Sequence, residues 1–334
     1  MNKKSMIYLL VLMTLLLFVM INRNSIWLQA ASLNRATNSQ GNFYTGCNPQ
    51  TTLYAVSRNS YGTAVGENGA IVSQTSGLSW QVQANPTLGA LYSVFMISNS
   101  YGTAVGENGV ILRKVNLQPW QRVISPTPHT LYAVSRGNYG TAVGENGTIL
   151  TQFTGSLWQA DVSPTTNTLY SVSMGASGWG TAVGENGTIL ERTGLDQPWQ
   201  IVASPTTNTL YSVSMGGSGW GTAVGENGII LTLANGQSWQ IESSPTTNTL
   251  YSVVGSDYGI AVGENGTILT KNGYGQPWQL EPSPTTNTLY SVTGRDYGTA
   301  VGENGTILRK FGEQPWELVT YPACHFTFLP TISN

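Results

Sequence analysis

One nine-residue phrase occurs seven times in this chain and constrains its fold more than any other feature. "YGTAVGENG" begins at Tyr61, and close variants return every 38 to 41 residues. Each copy is preceded by a Leu-Tyr pair and followed by a Trp, so seven complete repeats run from about Leu53 to Pro322. Self-similarity at a period near 40 residues indicates a solenoid, a propeller or a similar array.

Each repeat predicts four short strands. In the fourth repeat they are "LYSVS", "GTAVGE", "GTILE" and "WQIVAS", separated by segments rich in Gly, Ser or Pro. The "ENG" between the second and third strands carries the Asn-Gly signal of a tight hairpin. A four-stranded meander of this length is typical of one propeller blade, and no polar capping repeat is present as a solenoid requires. The sequence therefore predicts an all-β, seven-bladed propeller.

The phrase "GWGTAVGENGTIL", followed by a Trp after a short loop, resembles the repeats of the photosystem II stability and assembly factors. That family is related to the Asp-box, or bacterial neuraminidase, repeats of sialidase-type propellers. The resemblance covers nearly all of residues 53–322, but no copy keeps the Asp of the Asp-box: Thr75 and Ala234 stand at its position in two of them. The resemblance implies a propeller that assists assembly of a membrane-protein complex.

The N-terminus has a different character. Lys3 and Lys4 precede an apolar run from Met6 to Ile21, whose length lies between a signal-peptide core and a bilayer span. We expect residues 1–30 to be a signal peptide or membrane-anchor helix, so that the protein is exported and faces away from the cytoplasm. Residues 31–52 are then a linker and ring-closing segment, 53–322 the propeller, and 323–334 a closing tail.

The two cysteines flank the repeats. Cys47 lies six residues before Leu53, and Cys324 lies eight residues after Trp316. If blade seven meets blade one as other blades meet, the two segments run along equivalent linkers. An exported chain encounters an oxidising compartment, so we expect a Cys47–Cys324 disulfide that fastens the first blade to the last.

The sequence carries no convincing catalytic or metal-binding set. The chain has two histidines and four aspartates, and no phosphate-binding glycine loop precedes a helix. Asp257 and Asp296 occupy equivalent loops of neighbouring blades, but no third group completes a glycosidase site there. We expect a protein that is not an enzyme and that needs no cofactor or metal.

Two faces of the predicted propeller are candidate binding surfaces. The hairpin turns between second and third strands share a face with the inter-blade links, which we call the link face. It carries a predicted acidic ring, which attracts cations or a basic partner unless its members are merely turn residues copied seven times: Glu67, Glu107, Glu145, Glu185, Glu226, Glu264 and Glu303.

The opposite face, which we call the variable face, carries loops that differ between repeats. Aromatic, Met and Arg residues are enriched at protein interfaces. We therefore predict partner binding on this face, through Arg58, Arg136, Met174, Trp179, Met215, Trp220, Asp257, Arg295 and Asp296.

These expectations combine into one functional interpretation. The chain is expected to be a monomeric scaffold that binds a protein partner, such as a membrane-protein complex under assembly. A net charge of −2 gives no basis for binding nucleic acid. The alternative is a cell-surface propeller that binds or hydrolyses carbohydrate.

Overall fold

A computed structural model describes residues 50–319, apart from residues 59–61, 75–78, 117, 137–138, 154–155, 176, 217–218, 235–236, 257, 274 and 295–296. The predicted N-terminal helix, the predicted disulfide and the closing tail lie outside these residues. No helix in the described ranges is long and apolar enough to cross a bilayer.

Seven four-stranded antiparallel sheets make up the described part of the chain, each in simple meander order. Blade one contains Leu53–Arg58, Gly62–Gly66, Ile71–Gln74 and Trp80–Val82. Blade two contains Leu91–Ser98, Tyr101–Gly106, Ile111–Val115 and Gln121–Val123. Blade three contains Leu131–Arg136, Gly140–Gly144, Ile149–Gln152 and Gln159–Ala160. Blade four contains Leu169–Met174, Gly180–Gly184, Ile189–Arg192 and Gln200–Ile201.

The remaining blades follow the same plan. Blade five contains Leu210–Met215, Gly221–Gly225, Ile230–Leu233 and Gln240–Glu242. Blade six contains Leu250–Val254, Tyr258–Gly263, Ile268–Asn272 and Gln279–Leu280. Blade seven contains Leu289–Thr293, Tyr297–Gly302, Ile307–Phe311 and Glu317–Leu318. The prediction of seven blades is confirmed, although the fourth strands are shorter than the sequence suggested.

The core lies between blades rather than within them. In the junction of blades three and four, Val143 and Ile149 of one blade pack against Leu169, Leu190 and Trp199 of the next. The same kind of cluster recurs at the other junctions. Each blade therefore depends on its neighbours to bury its apolar faces, which favours a closed ring over separate sheets.

Hydrogen bonds connect the first strands of neighbouring blades, which are the innermost strands of the propeller. First strands of successive blades contact one another around the axis. Ser171 and Ser173 in blade four accept hydrogen bonds from the backbone N–H groups of Val213 and Met215 in blade five, both at 3.2 Å. Each such bond contributes about 1 kcal/mol. These bonds therefore connect strands that belong to different sheets.

The ring closes with the serine bond that also joins internal blades, and with two further bonds from Arg58. The N–H of Val56 in blade one donates to Ser291 Oγ in blade seven at 3.2 Å. The Arg58 guanidinium donates to the Tyr297 carbonyl at 3.0 Å and to Thr299 Oγ1 at 3.1 Å. Blade one thus follows blade seven as an ordinary neighbour.

The "ENG" segments form the tight hairpins that the sequence predicts. In blade four Asn186 has φ 55° and ψ 32°, and Gly187 has φ 67°. The N–H of Thr188 donates to the Glu185 carbonyl at 3.0 Å. Two consecutive left-handed residues closed by this bond make a type I′ turn, and Asn-Gly tolerates it best. All seven blades repeat this turn.

Candidate functional site

The seven glutamates of the acidic ring are present on the link face, but each carboxylate is hydrogen-bonded within its own blade. In blade four, Glu185 Oε2 accepts from the N–H of Thr168 at 2.9 Å, and Oε1 accepts from the Tyr170 hydroxyl at 3.4 Å. The other six blades make the same two bonds. The glutamate therefore holds the start of the first strand against the hairpin turn, as more than a solvated turn residue.

A β-bulge brings the tyrosine to this glutamate. The pairing of first and second strands skips one residue at the start of every first strand, as between Leu169 and Ser171. The skipped residue is the tyrosine of the Leu-Tyr pair. A bulge redirects a side chain out of the regular alternation of a strand. Tyr170 and its counterparts are thereby turned toward the axis, where they meet one another.

The seven tyrosines form a closed aromatic ring at the link-face end of the axis. Neighbouring ring centroids lie 5.1–5.5 Å apart, including the pair that joins Tyr54 to Tyr290. Sides of this length place the centroids about 6 Å from the axis of a seven-fold ring. Burial, and then the partner glutamates, raise the pKa of Tyr170 to about 12. The phenols therefore stay protonated as donors to the carboxylates.

The predicted residues of the variable face have mixed environments. Arg58 bridges to blade seven, as described above. Met174 and Met215 pack into the junctions, where a Cβ on Gly180 or Gly221 would meet the methionine sulfur. These three predicted residues are thus engaged within the fold, and their binding to a partner remains a prediction.

The two tryptophans of this face, Trp179 and Trp220, are half-buried. Trp220 lines a cleft of about 260 Å³ between blades five and six, together with Glu242 and Lys271. Asp257, Arg295 and Asp296 lie outside the described residues. Binding by all these residues remains a prediction.

Blade two presents the most distinctive surface of the variable face. Its first strand is the longest of the described strands, with eight residues. Ile97 and Tyr101, at the end of this hairpin, are 52% and 42% exposed. Arg113, on the third strand, is exposed and lies close enough to Arg136 that, after burial, it lowers the pKa of Arg136. We call Ile97, Tyr101, Arg113 and Arg136 the blade-two corner.

Sequence reasoning missed most of the blade-two corner. It selected Arg136 but passed over Ile97, Tyr101 and Arg113. The signal was the loop "FMISNSYG", which has Phe and Ile where the equally long loops "SMGASGWG" and "SMGGSGWG" have Ser and Gly. Exposed apolar side chains next to cations are typical of surfaces that bind proteins.

A second repeated arrangement lies on the outer side of the junctions. In blade six, Lys271 Nζ lies 2.6 Å from Glu242 Oε1 and 5.9 Å from the centre of the Trp278 ring. The indole Nε1–H of Trp278 donates to the second oxygen of Glu242 at 3.3 Å. A cation, an indole and a carboxylate from the preceding blade thus form a three-part contact, which we call the junction triad.

The described residues contain no obvious centre for chemistry. No group of three or more His, Cys, Asp or Glu side chains in these ranges is arranged to hold a metal ion. The ring glutamates are each tied to a tyrosine and a backbone amide. The described surface has a repeated link face and a variable face with exposed aromatic, apolar and basic side chains.

The fold defines the chain as a seven-bladed β-propeller. Among solved structures it is similar to YCF48 from Cyanidioschyzon merolae, with a TM-score of 0.65 and 18% identity over 79% of this chain and 97% of that one. It is also similar to YCF48 bound to D1 peptide, with a TM-score of 0.66 and 20% identity over 79% and 94%.

A third similar structure is the WD40 β-propeller domain of Doa1, with a TM-score of 0.64 and 13% identity over 81% and 98% of the two chains. At these identities the likeness establishes the fold. The sequence matches no protein-family profile and no curated protein.

Proposed function

We propose that this protein is an exported, non-catalytic propeller scaffold that binds a protein partner through its variable face. The finer form of the proposal is an assembly or stability factor for a membrane-protein complex such as a photosystem. One observation carries it. The polar residues repeated in every blade are used to hold the ring together, whereas the residues that differ leave exposed apolar and basic groups on one face.

The similar structures support a protein partner. YCF48, a photosystem II assembly factor, has this fold and has been seen bound to D1 peptide. An asymmetric partner needs contacts that distinguish one blade from the next. The blade-two corner provides such contacts, because no other described hairpin between a first and a second strand has an exposed large aliphatic side chain like Ile97.

The proposal is tested by capturing partners from envelope membranes with tagged protein. Ile97→Asp should reduce capture about tenfold, because a carboxylate replaces a 52% exposed apolar contact. Ile241→Asp is the matched control, since Ile241 is 57% exposed on the fourth strand of blade five. Equal capture by the Ile97 variant and the unchanged protein would place the interface elsewhere.

A carbohydrate-binding propeller is the second candidate function. The cleft between blades five and six is favourable for it, because Trp220 lines that cleft beside polar side chains. Aromatic side chains stack on sugar rings through their apolar faces. Titration with soluble glycans, followed by tryptophan fluorescence, checks this candidate: a response lost in Trp220→Ala supports it, and no response with any glycan removes it.

A further inference from the structure

The junction triad recurs in blades four, six and seven with its carboxylate always supplied by the blade before. Arg192 Nη1 lies 3.0 Å from Asp161 Oδ2, with the guanidinium 4.9 Å from the Trp199 ring centre. Lys310 Nζ lies 2.7 Å from Glu281 Oε1, and Trp316 Nε1 donates to Glu281 Oε2 at 3.0 Å. A cation at this position thus has an anion provided for it.

The carboxylate position is defined by the backbone and is the same in each blade. It is the third residue after the Trp, and its N–H donates to the Ile that begins the third strand of its own blade. This bond is 2.9 Å for Glu281 and 2.8 Å for Asp161. Gln83 of blade one makes the same bond, to Ile71, at 2.8 Å. Gln83 therefore stands where the carboxylate for blade two belongs.

Blade two retains the other two parts of the triad. Lys114 Nζ lies 5.7 Å from the centre of the Trp120 ring. Burial lowers the pKa of Lys114, and no salt bridge to it is found within the described ranges. Trp120 is 3% exposed, and its Nε1 has no hydrogen-bond partner. Blade two thus has the cation and the buried donor of the triad, while the backbone position that elsewhere carries a carboxylate carries the neutral amide of Gln83.

At other junctions the cation is either paired with a carboxylate or absent. At the junction of blades four and five, Val202 and Leu233 occupy the two positions, so both charges are replaced by apolar groups. In blade four Trp199 Nε1 also lacks a partner, because the shorter Asp161 carboxylate accepts from Arg192, Thr151 and the Val162 N–H instead. Blade two is the case in which the cation itself lacks its anion.

We propose that Lys114 and Trp120 Nε1–H bind a carboxylate contributed by the protein partner, which completes the junction triad between molecules. The inference rests on the proposed function, because it specifies the chemistry of that partner. Gln83 is half-buried, and binding of the ligand requires its side chain to turn aside. A desolvated Lys and an indole N–H give charge-assisted hydrogen bonds that a neutral amide does not match.

The site and the blade-two corner lie on opposite faces of blade two. Arg113 adjoins Lys114 in the same strand, so their side chains alternate: Arg113 lies toward Arg136 of blade three, and Lys114 lies toward blade one. Arg113 and Arg136 still raise the local concentration of anionic groups. An acidic segment must therefore cross the variable-face end of blade two to bring one carboxylate to Lys114 and place apolar residues against Ile97.

The direct test is a titration followed by the indole N–H resonance of Trp120, assigned with Trp120→Phe. Acetate should shift this resonance, and acetamide, its neutral counterpart, should not. Lys114→Met keeps the stem and removes the charge, so the acetate response should weaken at least about tenfold. An unchanged Trp120 resonance throughout the acetate titration would overturn the proposal.

Two variants exchange Gln and Glu at equivalent positions of different blades, and their expected results do not depend on a loss of folding. Gln83→Glu supplies the missing carboxylate within the chain, so it should raise the unfolding midpoint and abolish the acetate response at Trp120. Glu281→Gln should create a new acetate-responsive indole at Trp316. An acetate response that persists at full strength in Gln83→Glu would contradict the proposal.

Two peptide probes distinguish the source of the carboxylate. One carries an internal Glu with an amidated C-terminus, and the other carries a free C-terminal carboxylate without acidic side chains. The probe that shifts Trp120 at the lower concentration identifies the source, and failure of both would overturn the proposal. Intact capture of partners from envelope membranes by Lys114→Met, together with its loss in Ile97→Asp, would support the scaffold function and contradict the carboxylate site.

Discussion

Replacing Gly184 with Ala tests how the start of each first strand is held against the hairpin turn. Gly184 has φ −169°, which any residue can adopt, so the effect depends on space alone. A Cβ there would lie 2.0 Å from the carbonyl oxygen of Thr168. Ordinary contact needs more than 1 Å of additional separation. That movement breaks the bond from the Glu185 N–H to the Thr168 oxygen, now 2.9 Å.

The magnitude follows from the contacts that this separation removes. The neutral backbone bond contributes about 1 kcal/mol, and the charge-assisted bond from the Thr168 N–H to the Glu185 carboxylate about 2 kcal/mol. The Tyr170 bond to that carboxylate is long, at 3.4 Å, and adds little. We therefore expect Gly184→Ala to lower the free energy of unfolding by about 3 kcal/mol.

Urea unfolding, followed by tryptophan fluorescence, measures this loss. The matched control is Gly194→Ala in the same blade, where the nearest atom to the added Cβ is the Gln197 side chain at 3.8 Å. The control should be neutral or stabilising by a few tenths of a kcal/mol. A loss below about 1 kcal/mol for Gly184→Ala would refute the view that this close approach holds the blade.

Two further predictions concern charge. Glu242→Val or Lys271→Leu alone should lower the free energy of unfolding by about 3 kcal/mol, because each leaves a largely buried charge unpaired. The double variant should lose only about 1 kcal/mol. A double-mutant cycle by urea unfolding measures these losses, and additive losses would contradict the prediction. The second prediction concerns the ring tyrosines. Their contribution to the free energy of unfolding should be fully present below the pKa of an unfolded Tyr, about 10, and should fall as pH rises toward 12. The sign follows from raised folded-state pKa values, which reach about 12 for Tyr92, Tyr170 and Tyr290. Changing these three to Phe should reduce the alkaline loss in a pH series of urea midpoints, and an unchanged loss would contradict it.

The repeat made the blade count and the hairpin chemistry predictable, because both depend on residues adjacent in sequence. Asn186 and Gly187 specify their turn by the backbone conformations they tolerate. The tyrosine ring was not predictable in this way. A Tyr after a Leu looks like an alternating strand residue, and only the bulge in the pairing turns Tyr170 toward its neighbours.

The junction triad could have been found by comparing equivalent positions of successive repeats. Where the third strand has Lys271 or Lys310, the blade before has Glu242 or Glu281 three residues after its Trp. Reading each repeat alone hides this match, because the partners belong to different repeats. The exposure of the blade-two corner was harder to foresee, since it depends on how far the first strand of blade two continues toward the variable face.

The closed tyrosine ring has a consequence for any molecule that approaches the link face. Successive blades present nearly the same atoms there, so a ligand on the axis has seven equivalent orientations. This degeneracy favours binding by about 1.2 kcal/mol, the free energy of a sevenfold statistical weight. It also removes angular information, because no contact distinguishes one seventh of a turn from the next. A partner that must be held in one orientation therefore has to be recognised at the opposite end of the axis.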